Sequence, residues 1–136
     1  METKPATLTD ALRDYTFAYL ITADGAGHAH AVPVTPVANG ESLIINRPGR
    51  RTLANVARAP VATLVWPPAE ADGYSLIVDG DVINENGALW ITATRAVLNR
   101  TAPAAGPGVT GVSPTPAGTC ASDCVVLRIP AALKSA

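Results

Sequence analysis

The chain has few of the residues that mark a specialised class of protein. Two cysteines among 136 residues are too few for a disulfide scaffold. Charged residues make up only 15% and the formal net charge is -1, so the broad basic face of a general nucleic-acid binder is not expected. The apolar runs are too short to cross a bilayer, and the polar start at 1–5 lacks a signal-peptide core. We therefore expect no membrane association and a cytoplasmic location.

The sequence also lacks the short motifs of the common catalytic sites. It contains no nucleophile elbow, Walker loop, HExxH or GxGxxG. No side chain is therefore assigned a catalytic role from the sequence. Any chemistry would come mainly from a bound cofactor, while the protein supplies binding, orientation and electrostatics.

The most informative feature that is present is a cluster of arginines. Residues 46–56 hold three of the eight arginines, Arg58 follows, and no acidic residue occurs between Glu41 and Glu70. Pro48-Gly49 predicts a turn, and 51–58 a short helix. Free N–H groups at a helix start favour anions, and the guanidinium fork matches phosphate oxygens. The segment therefore predicts an anion site; the alternative is a solvated basic turn.

Most of the remaining sequence predicts short strands. Hairpin turns are predicted at Asp24-Gly25, at Asn39-Gly40 and at 85–87, and a bulge or bend is predicted at Gly80. Two prolines in the run 28–37 indicate a strand at an edge or beside a bulge. The predicted strands are 17–22, 28–37, 42–46, 61–66, 74–83, 89–92 with an extended piece that continues through 96–98, and 125–129. A short helix is predicted at 7–13. We expect one domain over 1–136, a barrel or sandwich, with a loop rich in Pro and Gly at 101–118.

The order and spacing of these motifs resemble a known family over residues 15–100. The resemblance is to the pyridoxamine 5'-phosphate oxidase-like superfamily, and it rests on 19–22, Asp24-Gly25, 28–34, the helix motif at 50–56, 61–66 and 76–82. It implies a mainly β fold, a split β-barrel of antiparallel strands with one or two short helices. It also implies a homodimer that binds flavin between its subunits.

The resemblance also implies site residues. In the family, the basic and hydroxyl residues at the helix start hold the FMN phosphate, which here falls on Arg50, Arg51 and Thr52, with Asn55 one turn on. One strand runs beside the isoalloxazine ring, and Trp66 borders the same groove. The residues of that strand are Val32, Pro33, Val34 and Thr35.

The function that the resemblance implies is an FMN-dependent oxidoreductase acting on a small molecule. The alternative is a non-catalytic binder of flavin, deazaflavin or haem that serves storage or sensing. A third reading is a barrel dimer that has lost its cofactor.

Two further groups of residues have both a metal or redox interpretation and a structural one. His28 and His30 lie two apart, so they would share a strand face and provide two ligands, but exposed imidazoles after a turn are the alternative. Cys120 and Cys124 have a CxxxC spacing that fits a redox pair, a disulfide or free thiols. No metal site is expected from either group.

An acidic pair and the two tryptophans also have both a functional and a structural interpretation. Asp79 and Asp81 flank Gly80 and resemble a carboxylate pair, but solvated or arginine-paired acids at a bend are favoured. Trp66 and Trp90, apart from the role that the resemblance gives Trp66, are most simply core or interface aromatics.

Overall fold

The computed structural model of the chain describes residues 7–39, 42–100 and 123–130. Within them lie two helices, α1 (Leu8–Leu12) and α2 (Arg50–Arg58), and eight strands. The strands are β1 (Ala18–Ala23), β2 (Ala29–Val34), β3 (Val37–Asn39), β4 (Ser42–Ile45), β5 (Val61–Trp66), β6 (Ser75–Glu85), β7 (Ala88–Arg100) and β8 (Asp123–Leu127). No helix in these ranges is long and apolar enough to cross a bilayer.

The strands form one antiparallel sheet that forks at β7. The order is β2-β1-β5-β6-β7-β4-β3, and β8 also pairs with β7. Along one edge of β7 runs β6, whereas its other edge pairs with β4 at 89–92 and with β8 at 96–100. The two halves of β7 therefore belong to different parts of the sheet.

A bulge at Gly80 separates those two halves. The register between β6 and β7 shifts between Asp79 and Gly80. A Cβ atom at Gly80 would lie 2.6 Å from Ile91 Cγ2 and 2.7 Å from the Thr92 carbonyl oxygen. The register shift confirms the predicted bulge. Only glycine permits the two strands to approach this closely, which explains why position 80 is a glycine.

The core follows from the alternation of side chains along the strands. One row crosses four neighbouring strands, and all of its side chains are buried: Leu20, Leu64, Val78 and Ala96. The opposite face carries residues such as Tyr19 and Ile21, which remain partly accessible. Successive side chains along each strand therefore point alternately into the core and to an outer face.

Helix α1 closes the core where the described chain begins. The Thr7 hydroxyl accepts a hydrogen bond from the Asp10 N–H at 3.2 Å, so Thr7 caps the start of the helix. Leu8 and Ala11 are fully buried. The Leu8 N–H donates to the Arg128 carbonyl at 2.9 Å, which ties α1 to the chain after β8.

Most predicted bounds lie within two residues of those in the structure, and one predicted strand is divided. The run 28–37 is not one strand, since β2 ends at Val34 and β3 begins at Val37. Pro36 lies in the gap and has no N–H to continue a ladder. The strand predicted at 89–92 and the extended piece predicted to continue through 96–98 form one strand, β7, which is longer at both ends. The predicted loop at 101–118, Gly40 and Cys120 lie outside the described residues.

Candidate cofactor site

The predicted anion site corresponds to the first turn of α2. Gly49 is the N-cap residue and has no side chain to accept a hydrogen bond from the helix, and the first intrahelical bond runs from the Leu53 N–H to the Gly49 carbonyl at 3.0 Å. The N–H groups of Arg50, Arg51 and Thr52 therefore have no acceptor within the helix. The helix begins with three backbone donors that are available to an anion.

The arginines of this turn divide into unpaired and paired groups. The guanidinium groups of Arg47, Arg50 and Arg51 make no hydrogen bond or ion pair with any residue in the described ranges, and all three residues are exposed. Arg58, at the other end of α2, instead donates to the carbonyls of Ala23 at 2.6 Å and Asp24 at 2.9 Å. The cations near the helix start are therefore available to a ligand, whereas Arg58 supports the structure.

Thr52 adds a buried group without a partner. Its side chain is 1% exposed, and its Oγ1 atom has no hydrogen-bond partner within the described residues. A buried polar group left in this state costs about 1–3 kcal/mol. The hydroxyl lies in the same turn as the free N–H groups, so an anion bound there would find a further donor.

Asn55 lies one turn further along the buried face of α2. It is 6% exposed, and its Nδ2 donates to Oγ1 of Thr22 on β1 at 3.0 Å. Thr22 is itself buried and is paired with His30 on β2. Asn55 therefore connects the helix to the sheet through one hydrogen bond of its amide nitrogen.

The predicted ring-binding strand is β2, which ends the sheet order and pairs only with β1 among the described strands. The Asp24 N–H donates to the His28 carbonyl at 3.0 Å, and hydrogen-bonded pairs alternate along an antiparallel ladder. By this alternation, Ala31 and Pro33 direct their backbone groups to the open edge. Because the backbone of Pro33 faces this open edge, its missing N–H breaks no hydrogen bond between β1 and β2. The edge position that the prolines indicated is therefore confirmed.

The side chains of the predicted ring-binding segment face in two directions. Val32 and Val34 are half-buried against the core, whereas Pro33 and Thr35 are exposed. The open edge thus offers backbone carbonyls beside small or apolar side chains. Such an edge is suited to the polar rim of a planar ring.

The outer face of β1, β5 and β6 forms an open groove of about 380 Å³, whose lining includes Ile21, Ala29 and Val61. It also includes Asp79, which accepts a hydrogen bond from Thr63 Oγ1 at 2.7 Å and lies 3.7 Å from Arg95 Nη1. The expectation that this acid is arginine-paired is confirmed. The groove is therefore apolar, with a small satisfied polar cluster at one side.

The same outer face carries exposed apolar side chains. Tyr19 is 40% exposed and Val61 is 56% exposed. Phe17 packs edge-on against Tyr19, with 5.4 Å between their ring centroids. Adjacent large apolar groups on an outer sheet face are typical of a surface that another chain covers.

The structure does not bring Trp66 to this groove. Its side chain is 3% exposed and lies in the core, on the opposite face of β5 from Thr63 and Val65. The core interpretation of this tryptophan therefore fits, and a ligand contact finds no support in the described geometry. Trp90, with intermediate burial, faces outward from β7 beside Ile83.

The candidate metal ligands do not form a cluster. His28 is exposed, and its Nδ1 lies 3.4 Å from the Asp24 carboxylate. No group of three or more His, Cys, Asp or Glu side chains suited to a metal occurs in the described part of the chain. The CxxxC pair includes Cys120, which lies outside it.

Sequence reasoning missed the structural role of Thr22 and the backbone conformation of Arg47. Thr22 was interpreted only as the end of an apolar strand, although a hydroxyl in a buried strand position needs a partner. Arg47 adopts the left-handed conformation with φ 55, which a non-glycine residue rarely adopts. The signal for Thr22 was available in its polar character, whereas nothing in the sequence indicated the backbone of Arg47.

Comparison with known proteins gives relatives in sequence and in fold. No model of a known protein family matches the chain. It is 37% identical over 139 residues to "Uncharacterized protein Mb0449c" of Mycobacterium bovis, and equally to "Uncharacterized protein MT0457" of Mycobacterium tuberculosis. Each alignment covers 90% of this chain and 93% of the relative.

Two solved structures are similar in fold at low identity. A putative pyridoxamine 5'-phosphate oxidase from Listeria innocua has a TM-score of 0.54 at 13% identity, with 67% of this chain and 97% of that one covered. A heme binding protein from Mycobacterium smegmatis has a TM-score of 0.58 at 14% identity, with 93% of this chain and 59% of that one covered. The predicted split β-barrel is thereby confirmed.

Proposed function

We propose that this chain, which belongs to one family with the mycobacterial proteins Mb0449c and MT0457, binds FMN as a homodimer and acts as a cytoplasmic oxidoreductase on a small molecule. The fold is the split β-barrel of pyridoxamine 5'-phosphate oxidase-like proteins. The fold alone does not select a ligand, so the proposal rests on the residues of the site.

The observation that carries the proposal is the set of unused donors at the start of α2. Three backbone N–H groups, the buried Thr52 hydroxyl and the guanidinium groups of Arg50 and Arg51 have no acceptor within the described residues. A phosphate monoester has an oxygen for each kind of donor and a charge that the helix dipole favours. We therefore assign the FMN phosphate to this turn.

The ring would lie along β2. The open edge presents the backbone of Ala31 and Pro33, with Val32, Val34 and Thr35 as neighbours. When bound, FMN supplies hydride transfer through its ring, and the chain's residues bind and orient it. The protein contributes the phosphate donors at one end and the strand edge at the other.

The homodimer is part of the proposal because the groove is open in one chain. The outer face of β1 and β5, with Tyr19, Ile21 and Val61, is apolar and accessible. A second copy packed there would cover it and exclude water from a ligand in the seam. Sedimentation of a ligand-bound monomer at micromolar concentration would contradict this part of the proposal.

A second candidate function is the non-catalytic binding of haem, flavin or deazaflavin. It is favoured by the likeness to the heme binding protein from Mycobacterium smegmatis, which extends over 93% of this chain. The cations that suit a phosphate also suit the carboxylates of haem. The two candidates share the site and differ in the group bound and in turnover.

The absorbance spectrum of the purified protein separates these candidates. The proposal predicts the two-band spectrum of a flavin, either as isolated or after FMN is added and excess ligand removed. A Soret band would support the haem reading. A protein that remains colourless after incubation with FMN, a deazaflavin or haem would contradict both candidates. Reduction of bound flavin by a nicotinamide donor, followed by its reoxidation, then tests whether the flavin protein is an oxidoreductase.

A further inference from the structure

We propose that the buried hydrogen bond between Asn55 and Thr22 positions the start of α2 relative to β2, so that Asn55 acts on ligand binding through Thr22 without touching the ligand. This inference rests on the proposed function and specifies how the two parts of that site are held together. It replaces the contact role that the family resemblance implies for Asn55.

The first step of the argument is the geometry of the contact. Asn55 Nδ2 and Thr22 Oγ1 are 3.0 Å apart, and the two residues are 6% and 4% exposed. Asn55 lies three residues after Thr52, on the same buried face of α2. Thr22 pairs directly with His30 of β2. One buried bond therefore connects the proposed phosphate turn, through β1, to the proposed ring strand.

The second step is that a directional bond is needed to fix the position of α2 on the sheet. The other buried residue next to Asn55 on this helix face is Val56, which packs against the core by apolar contact. Apolar contacts favour burial but tolerate small rotations and shifts, whereas a buried hydrogen bond defines one arrangement. The amide therefore fixes the helix where a residue such as leucine would only bury it.

The third step is that α2 has another attachment that serves as a matched control. Arg58 donates to the carbonyls of Ala23 and Asp24, at the end of the helix away from the proposed site. Arg51 and Arg58 are seven residues apart, which corresponds to roughly 10 Å along a helix. If phosphate binding depends on where the start of α2 lies, loss of the Asn55 bond should weaken that binding. Loss of the Arg58 bonds should affect mainly the β1–β2 turn.

The test compares FMN with riboflavin, which lacks the phosphate. The readout is the ratio of the two dissociation constants, measured by titration of each ligand into the wild type and its variants. Thr22→Val and Asn55→Ala should each lower the preference for FMN by about two- to tenfold, the equivalent of one neutral hydrogen bond. Thr22→Ser retains the acceptor and should restore the ratio, and Arg58→Met should leave it unchanged.

The double variant identifies the mechanism. Because both changes break the same bond, Thr22→Val with Asn55→Ala should lower the ratio no further than either change alone. If Asn55→Ala weakens FMN and Thr22→Val does not, Asn55 contacts the ligand and the inference is wrong. If both variants weaken FMN and riboflavin equally, the pair is only structural and the inference is also wrong.

Failure of the inference is distinguishable from failure of the proposed function. A wild-type protein that binds FMN no better than riboflavin contradicts the phosphate site itself, and the inference with it. A wild-type preference for FMN that survives Thr22→Val unchanged overturns the inference alone. Should Thr22→Val fold poorly, Thr22→Ala removes the same acceptor from Asn55 and, compared with Asn55→Ala, gives the same decision.

Discussion

Replacing Thr52 with valine should make the ligand-free protein more stable. Valine has nearly the shape of threonine and a similar helix propensity, so the packing around this 1% exposed side chain is preserved. The change removes a buried hydroxyl that has no partner in the described residues. Because such a group costs about 1–3 kcal/mol, the free energy of unfolding should rise by roughly 1–2 kcal/mol.

The assay is equilibrium unfolding in urea without ligand. With a slope near 1.5 kcal/mol per molar, the midpoint should rise by roughly 0.7–1.3 M. In the same titration with saturating FMN, Thr52→Val should gain less stability from the ligand than the wild type, since it has lost one donor to the phosphate. Stability and binding should therefore change in opposite directions.

Thr22→Val is the control, because it makes the same chemical change at a threonine that has a partner. It leaves the buried Asn55 amide without its acceptor at 3.0 Å, so the free energy of unfolding should fall by about 1–2 kcal/mol. Changes of the same sign in the two variants would refute the reasoning. So would a Thr52→Val protein less stable than the wild type.

Three other predictions concern the bulge, the outer face and the first hairpin. Gly80→Ala should lower the free energy of unfolding by about 2 kcal/mol or more, because the added Cβ would meet Ile91 and the Thr92 carbonyl. The control Gly25→Ala should change this free energy little, since the nearest atom to its Cβ would be 3.7 Å away. Equal denaturation midpoints for the two variants would contradict this prediction. Ile21→Lys should yield folded monomers in sedimentation, and a dimer that survives this change would show that the outer face is not the seam. Hydrogen bonds from the N–H groups of His28 and Ala26, together with nearby Arg58, lower the pKa of Asp24. The ionised carboxylate should therefore stabilise the fold above about pH 3.8, and this contribution should disappear as the pH falls through the lower pKa of the folded state. The free energies of unfolding of wild type and Asp24→Asn should converge at acid pH, and a difference that stays constant with pH would contradict this prediction.

Much of the fold was predictable because local signals and the fold agree. Asp24, Gly80 and the proline in β2 each act on the backbone close to them, Asp24 by accepting hydrogen bonds from the N–H groups of the first hairpin turn, so these signals could be interpreted locally. The bounds of β5 were predicted to the residue because an apolar run is followed by Pro67-Pro68. Boundaries were less accurate where a strand continues past a bulge, as in β7.

The site was predicted less completely because its parts meet only in the folded chain. The cluster of arginines was visible in the sequence, but the division between free Arg51 and structural Arg58 depends on which carbonyls lie nearby. The Asn55–Thr22 bond joins residues 33 positions apart, and no local pattern indicates it. Which face of β5 carries Trp66 likewise depends on how that strand is paired.

The most direct test of the central claim is a titration of wild type, Arg51→Ala and Arg51→Lys with FMN and with riboflavin. Loss of a charged partner typically costs about 1.5–3 kcal/mol, so Arg51→Ala should weaken FMN roughly ten- to hundredfold and riboflavin much less. Arg51→Lys should recover only part of this loss, because an ammonium group lacks the bidentate fork. Equal losses for FMN and riboflavin would show that the first turn of α2 is structural, and that the chain does not hold a flavin phosphate there.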